Sequence, residues 1–141
     1  MNTLLQLIAT CLYGFVAIIA LVMALESLRA RRFLHFHEAA AAQSWDELGA
    51  GVRAVILSLL RLTGLGFLLV ALQLAIVAVA GNFHPGPIVT RALPLLSLLF
   101  CAGLCAVNLQ LHRRTGAATP WRGSLYAAIA IAAGLVVSII R

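Results

Sequence analysis

Four apolar stretches, each close to the length that spans a bilayer as a helix, decide what this chain can fold into. They run 4–25, 62–80, 92–111 and 123–140, and crossing the hydrocarbon takes about 20 helical residues. Inside hydrocarbon the backbone has no water to bond, so only helices and closed barrels satisfy it. None of the stretches alternates apolar and polar residues as a barrel strand must. The sequence therefore predicts an all-α fold: a polytopic membrane protein with a four-transmembrane-helix bundle, in one domain over residues 1–141. Residues 26–61 and 112–122 are the expected cytoplasmic connections.

Composition excludes a soluble alternative. The chain is 63% hydrophobic and only 10% charged, where a soluble domain carries about 25% charged residues. So small a body has too much surface to hide that deficit in a core. The net charge of +6 would point to nucleic acid in a soluble protein. Here the basic residues are all arginine and sit at the edges of apolar runs with no interleaved aromatics, so no nucleic-acid partner is expected. They act as orientation signals instead. Arg29, Arg31, Arg32, Arg53, Arg61, Arg113, Arg114 and Arg122 lie in the first and third connections, against only Arg91 and Arg141 elsewhere. The positive-inside rule places those eight in the cytoplasm and both termini on the periplasmic side of a bacterial inner membrane. The first stretch lacks a basic leader, stays apolar to Leu25 and is followed by no small-residue cleavage site, so it is expected to be a retained span.

Local signals set the helix ends. Ser44-Trp45-Asp46-Glu47 fits a capping box, which predicts a helix from Trp45 through to Ala80, with bends at Gly49 and Gly51. That helix would exceed 50 Å at about 1.5 Å per residue, so its first part must lie outside the hydrocarbon. The alanines at 39–42 are expected to carry the first helix onward, making a short cytoplasmic helical hairpin around 29–53. Pro94 suits a first helical turn. His112-Arg113-Arg114-Thr115-Gly116 reads as a helix end with Gly116 as a left-handed stop. Thr119-Pro120-Trp121 reads as a restart with threonine as cap. The second turn, 81–87, is short and rich in breakers. No internal repeat supports an inverted-repeat transporter.

Two segments carry a likeness. The pattern His37…Trp45-Asp46-Glu47-Leu48…Gly51-Val52-Arg53-Ala54, followed by Leu60-Arg61 and Gly64-x-Gly66, resembles a group of small four-span bacterial inner-membrane proteins. So does Arg114-Thr115-Gly116-Ala117-Ala118-Thr119-Pro120-Trp121, the most specific part. The resemblance covers the chain from about His37 to its end. It implies the fold, the membrane location and a bacterial source, and it implies no reaction and no ligand.

Candidate sites follow from residue chemistry. His35, His37 and Glu38, with His112 on the same side, are candidate metal ligands, because His-x-His can chelate from an extended segment. A helix through the alanines would turn His35 and His37 apart. Arg53 and Arg61, with Arg113 and Arg114, are candidates for lipid or anion binding, since a planar guanidinium grips phosphate or carboxylate at two points. Anionic lipid headgroups are thus the expected partners, alongside the bilayer itself. Gln73 and Asn108 are polar at membrane depth, where interhelical hydrogen bonds are the usual outcome. Glu26 is expected to pair with Arg29 three residues on. Ser97, Cys101 and Cys105 line one face of the third span, and Ala130, Gly134 and Ser138 one face of the fourth, as close-packing faces do. Cys11, Cys101 and Cys105 are odd in number and lie in apolar runs, which argues against a disulfide framework and against a cluster or c-type haem. No cofactor is expected. No nucleophile elbow or phosphate loop is present. Three functions remain open: a non-catalytic accessory or assembly subunit or small homo-oligomer; a small carrier or anionic-lipid-binding protein using Arg53, Arg61, Gln73 and Asn108; and a metal-linked enzyme built on the histidines.

Overall fold

The computed structural model describes residues 2–80, 86 and 88–140, and the side chains of all of these except Asn2 and His35. Residues 81–85 and 87 of the breaker-rich turn, His84 among them, and Arg141 lie outside the described residues. Helix α1 is Asn2–Arg29, α2 His35–Ala41, α3 Ala50–Ala80, α4 Leu93–Thr115 and α5 Trp121–Ile140. A 3-10 turn at Trp45–Glu47 precedes α3, and a π turn at Ile88–Ala92 leads into α4. Four of these helical segments are long and apolar enough to cross a membrane. They pack as a ring: α1 on α3, α3 on α4, α4 on α5, and α5 back on α1. Consecutive spans run in opposite directions, so every neighbour in the ring is antiparallel.

The buried share of each span falls from 33% in the first to 17% in the fourth, so most side chains face outward and must be solvated by lipid. Lipid is as apolar as the core, so helices associate through close packing of small residues rather than by escape from water. Helix α1 is built this way. Ala17, Ala20, Ala24 and Ser27 are buried at helical spacing. Gly64 of α3 comes so close that a Cβ there would lie 3.1 Å from the backbone nitrogen of Leu28 and 2.9 Å from its Cγ. On the other side of α1, Tyr13 is 2% exposed and lays its ring on Gly134 of α5, where a Cβ would fall 2.7 Å from ring carbons. The core continues through Val16, Val70, Leu74, Val77, Cys101 and Ile131.

The α3–α4 seam is made differently. Phe67 and Phe100 meet edge to face with centroids 5.6 Å apart, and the Ser97 hydroxyl donates to Gln73 Oε1 at 2.9 Å. This is the interhelical bond expected of an intramembrane glutamine.

Several helix ends differ from expectation. α1 stops at Arg29, and the alanines form their own seven-residue helix, closed by Ala42 in the left-handed region (φ 49°). Phe33 turns the chain back there, stacking edge-on against Trp45 at 5.1 Å. Glu26 and Arg29 form no ion pair among the described residues, and Arg29 instead lines a cleft described below. The connection is helical, but the Trp45–Ala80 helix is not continuous. Glu47 does reach back to the Ser44 N–H at 3.0 Å, yet the box closes only the 3-10 turn, and Leu48 is extended (ψ 139°) before α3 starts at Ala50. In a continuous helix the carbonyls of Asp46 and Leu48 would accept from Ala50 and Val52. Instead they accept from the Arg53 guanidinium, Leu48 from Nε at 2.8 Å and Asp46 from Nη2 at 2.7 Å. A charged donor outcompetes an amide, and Gly49 and Gly51 weaken the helical alternative by about 1 kcal/mol each.

The third span begins earlier than expected. Pro94 has no N–H to offer the Thr90 carbonyl, and the widened turn at Ile88–Ala92 carries the chain past it. Gly116 is the expected left-handed stop (φ 70°), its N–H donating to His112 O at 2.8 Å. Thr119 does not cap α5. Its hydroxyl donates across to the Asn108 carbonyl of α4 at 2.8 Å, and the first amides of α5, Gly123 and Ser124, bond to the Pro120 carbonyl.

A candidate anion site at the arginine-rich end

Where α1 leaves the bundle, the connection to α3 folds over itself and encloses a cleft of about 450 Å³. Arg29, Arg31 and Arg32 reach it from the end of α1 and the residues just beyond. Phe33 and Trp45 form an aromatic wall, and Glu38 and Asp46 complete the lining. They come from several pieces of local structure: Arg29 from the last turn of α1, Glu38 from the first turn of α2, Trp45 and Asp46 from the 3-10 turn. Arg53 holds that turn through its two carbonyl bonds and lies over Trp45, 5.8 Å from the ring centroid.

Among the described residues, none of the three cleft arginines is within ion-pair distance of an acid. The arginines outnumber the two acids of the lining, and their guanidinium donors remain for a ligand. Arg29 lies one turn past Leu25, which faces outward in the apolar part of α1. Tryptophan, with its amphipathic ring, favours a membrane–water boundary. The cleft thus lies beyond the apolar part of α1, at the end of the bundle where the third connection also carries Arg113, Arg114 and Arg122.

Of the residues singled out from sequence, only Glu38 lines this cleft. Arg53 gives two of its donors to the backbone carbonyls of Leu48 and Asp46 and does not line the cleft. Arg61 is exposed on the side of α3, and Arg113 and Arg114 are exposed in the last turn of α4; none of them lines the cleft. Gln73 and Asn108 belong to different contacts: Gln73 pairs with Ser97, while Asn108 is 8% exposed and takes the Thr119 bond through its carbonyl.

His37 and His112 each make contacts of their own. His37 packs against Phe36 at 4.0 Å and Phe33 at 6.1 Å, and its buried Nδ1 has no hydrogen-bond partner among the described residues. That burial lowers its pKa from the ordinary value. His112 uses Nδ1–H on the Ala117 carbonyl at 2.7 Å, inside the turn that ends α4. Among the described residues, no three His, Cys, Asp or Glu side chains gather as a metal set, and the side chain of His35 lies outside the description.

Sequence inspection alone passes over the cleft because Arg29, Arg31 and Arg32 are already explained as orientation signals. The usable signal is a basic run meeting an aromatic, then acids, in a connection short enough to stay at the membrane surface.

The fold and the cleft define a class: a four-span helical membrane protein with a charged pocket at the mouth of the bundle. Comparison with protein-family models, curated proteins and solved structures finds no match for the chain.

Proposed function

We propose that this small integral membrane protein works by binding rather than catalysis, and that its cleft holds a phosphate-bearing lipid headgroup. The single observation behind this is the meeting of Arg29, Arg31 and Arg32 in one cleft with no acid paired to them. Basic pockets between membrane helices are natural phosphate sites, since each guanidinium can give two parallel bonds to phosphate oxygens. The arginine bias favours a cytoplasmic cleft, with the termini on the other side. The resemblance to small bacterial inner-membrane proteins favours that membrane. Native mass spectrometry in mild detergent tests the proposal. Arg31→Ala/Arg32→Ala should reduce retained phospholipid by tenfold or more, about the worth of one charged hydrogen bond. Equal retention by variant and parent would contradict it.

Self-association is a second role, favoured by a separate observation on α3. Val52, Val55, Leu59 and Leu62 begin a stripe that continues through Leu65, Leu69, Leu72 and Ile76 to Val79, and every member is at least 50% exposed. The stripe is about 40 Å long at 1.5 Å per residue, against roughly 30 Å of hydrocarbon. Lipid could cover all of it only at a tilt of about 40°, the upper end of the observed range. A second copy packed along α3 would cover the excess. Val55→Glu should then turn a dimer into a monomer by light scattering in detergent. A monomeric parent protein would remove this role.

A further inference from the structure

The cleft contains more than a plain anion site needs. Glu38 and Asp46 line it together with the arginines. A ligand carrying only negative charge would face two carboxylates, and like charges at close range are unfavourable. Among the described residues neither acid is paired with an arginine, so both charges remain available to a cation. Both signs are thus offered to one ligand within one small volume.

We propose that the ligand is zwitterionic: a phosphate diester joined through a short carbon chain to a primary amine, the chemistry of an ethanolamine phospholipid. Arg29, Arg31 and Arg32 take the phosphate oxygens, and Glu38 and Asp46 take the ammonium. A primary ammonium has three donors for carboxylates. A quaternary ammonium has none and depends on open aromatic faces. The aromatic wall is already engaged, with Arg53 over Trp45 and Phe33 edge-on to the same ring. The lining therefore favours the primary amine. This inference rests on the headgroup role proposed above, and its test separates the two.

The full-length protein in mild detergent is offered equal amounts of phosphatidylethanolamine and phosphatidylglycerol, and bound lipid is counted by native mass spectrometry. The parent protein should keep phosphatidylethanolamine in excess, on the order of tenfold for one charged contact. Glu38→Gln/Asp46→Asn should shift the preference to phosphatidylglycerol. Both are near-isosteric changes at exposed side chains, and the Asp46 carbonyl that holds Arg53 is untouched. Arg31→Ala/Arg32→Ala should lose both lipids. Excess glycerophosphoethanolamine distinguishes the sources: displacement of the lipid assigns the site to a soluble amino-phosphate, and resistance assigns it to the bilayer lipid. Equal retention of both lipids by the parent, or an unchanged preference in Glu38→Gln/Asp46→Asn, overturns the zwitterion while leaving a phosphate site. Retention of both lipids in the arginine variant overturns the headgroup role itself.

Discussion

The α1–α3 contact and the connection that follows α1 lie within a few residues of each other and are held together in opposite ways. Between α1 and α3, small residues bring two backbones to contact distance, with Gly64 against Leu28 and Ser27. The residues in contact there are uncharged. In the connection, residues 30–49, order comes from a few specific interactions: the Arg53 bonds to Asp46 and Leu48, the Glu47 bond to Ser44, and the Phe33–Trp45 and Phe36–His37 ring contacts. Packing holds the bundle, while polar bonds and ring contacts hold the connection that carries the cleft.

Changes at either region should therefore leave the other standing. The largest effect is expected from Gly64→Leu, which forces a side chain into the Leu28 backbone. Over-packing of this kind costs about 3 kcal/mol, and the whole bundle should lose thermal stability in detergent; an unchanged melting temperature would mean that the α1–α3 contact does not govern the fold. Arg53→Ala comes next. It removes two charge-assisted bonds at a half-exposed site, about 1–2 kcal/mol after allowing for water replacing them. Hydrogen exchange should quicken at 45–53 with the spans unaffected.

A pH effect should likewise appear only in the connection. Burial holds the pKa of His37 down, so the unfolded segment binds the proton more readily than the folded one. The order His37 supports is complete above its unfolded pKa of about 6.5 and falls as pH drops below it. Trp45 emission in a Trp121→Phe background should change between pH 7 and pH 5, and His37→Phe should abolish the change. The smallest effect is expected from Gln73→Leu, which breaks the bond to Ser97. Such bonds average about 0.6 kcal/mol in membranes, so a large loss would show that the α3–α4 seam depends on polarity rather than on Phe67 and Phe100.

Sequence and fold agree most where one strong physical constraint acts. The hydrocarbon demands about 20 apolar residues per pass, so the spans can be counted directly along the chain. Gly116 is legible because a left-handed stop after a basic turn has few alternatives. The continuous Trp45–Ala80 helix is a misreading because Ser44 and Glu47 signal a helix start without saying how long it lasts. What ends it is Arg53, whose bonds span five and seven residues and leave no periodic trace. Thr119 misleads for a similar reason: its hydroxyl finds an acceptor eleven residues away on α4 rather than in its own turn. The cleft is hidden because it needs the chain to fold back at Phe33, bringing Arg29 and Asp46 together from opposite ends of the connection.

Hydrogen exchange with and without added phospholipid tests most directly whether the connection is a headgroup site mounted on a rigid frame. Amides of α1 and α3 inside the bundle should be protected in both conditions. Amides in the stretch 30–49 should exchange fast in lipid-free detergent and slow markedly when phospholipid is added, and Arg31→Ala/Arg32→Ala should abolish that slowing. Equal exchange in 30–49 with and without lipid, or slowing that persists in the arginine variant, would contradict the account.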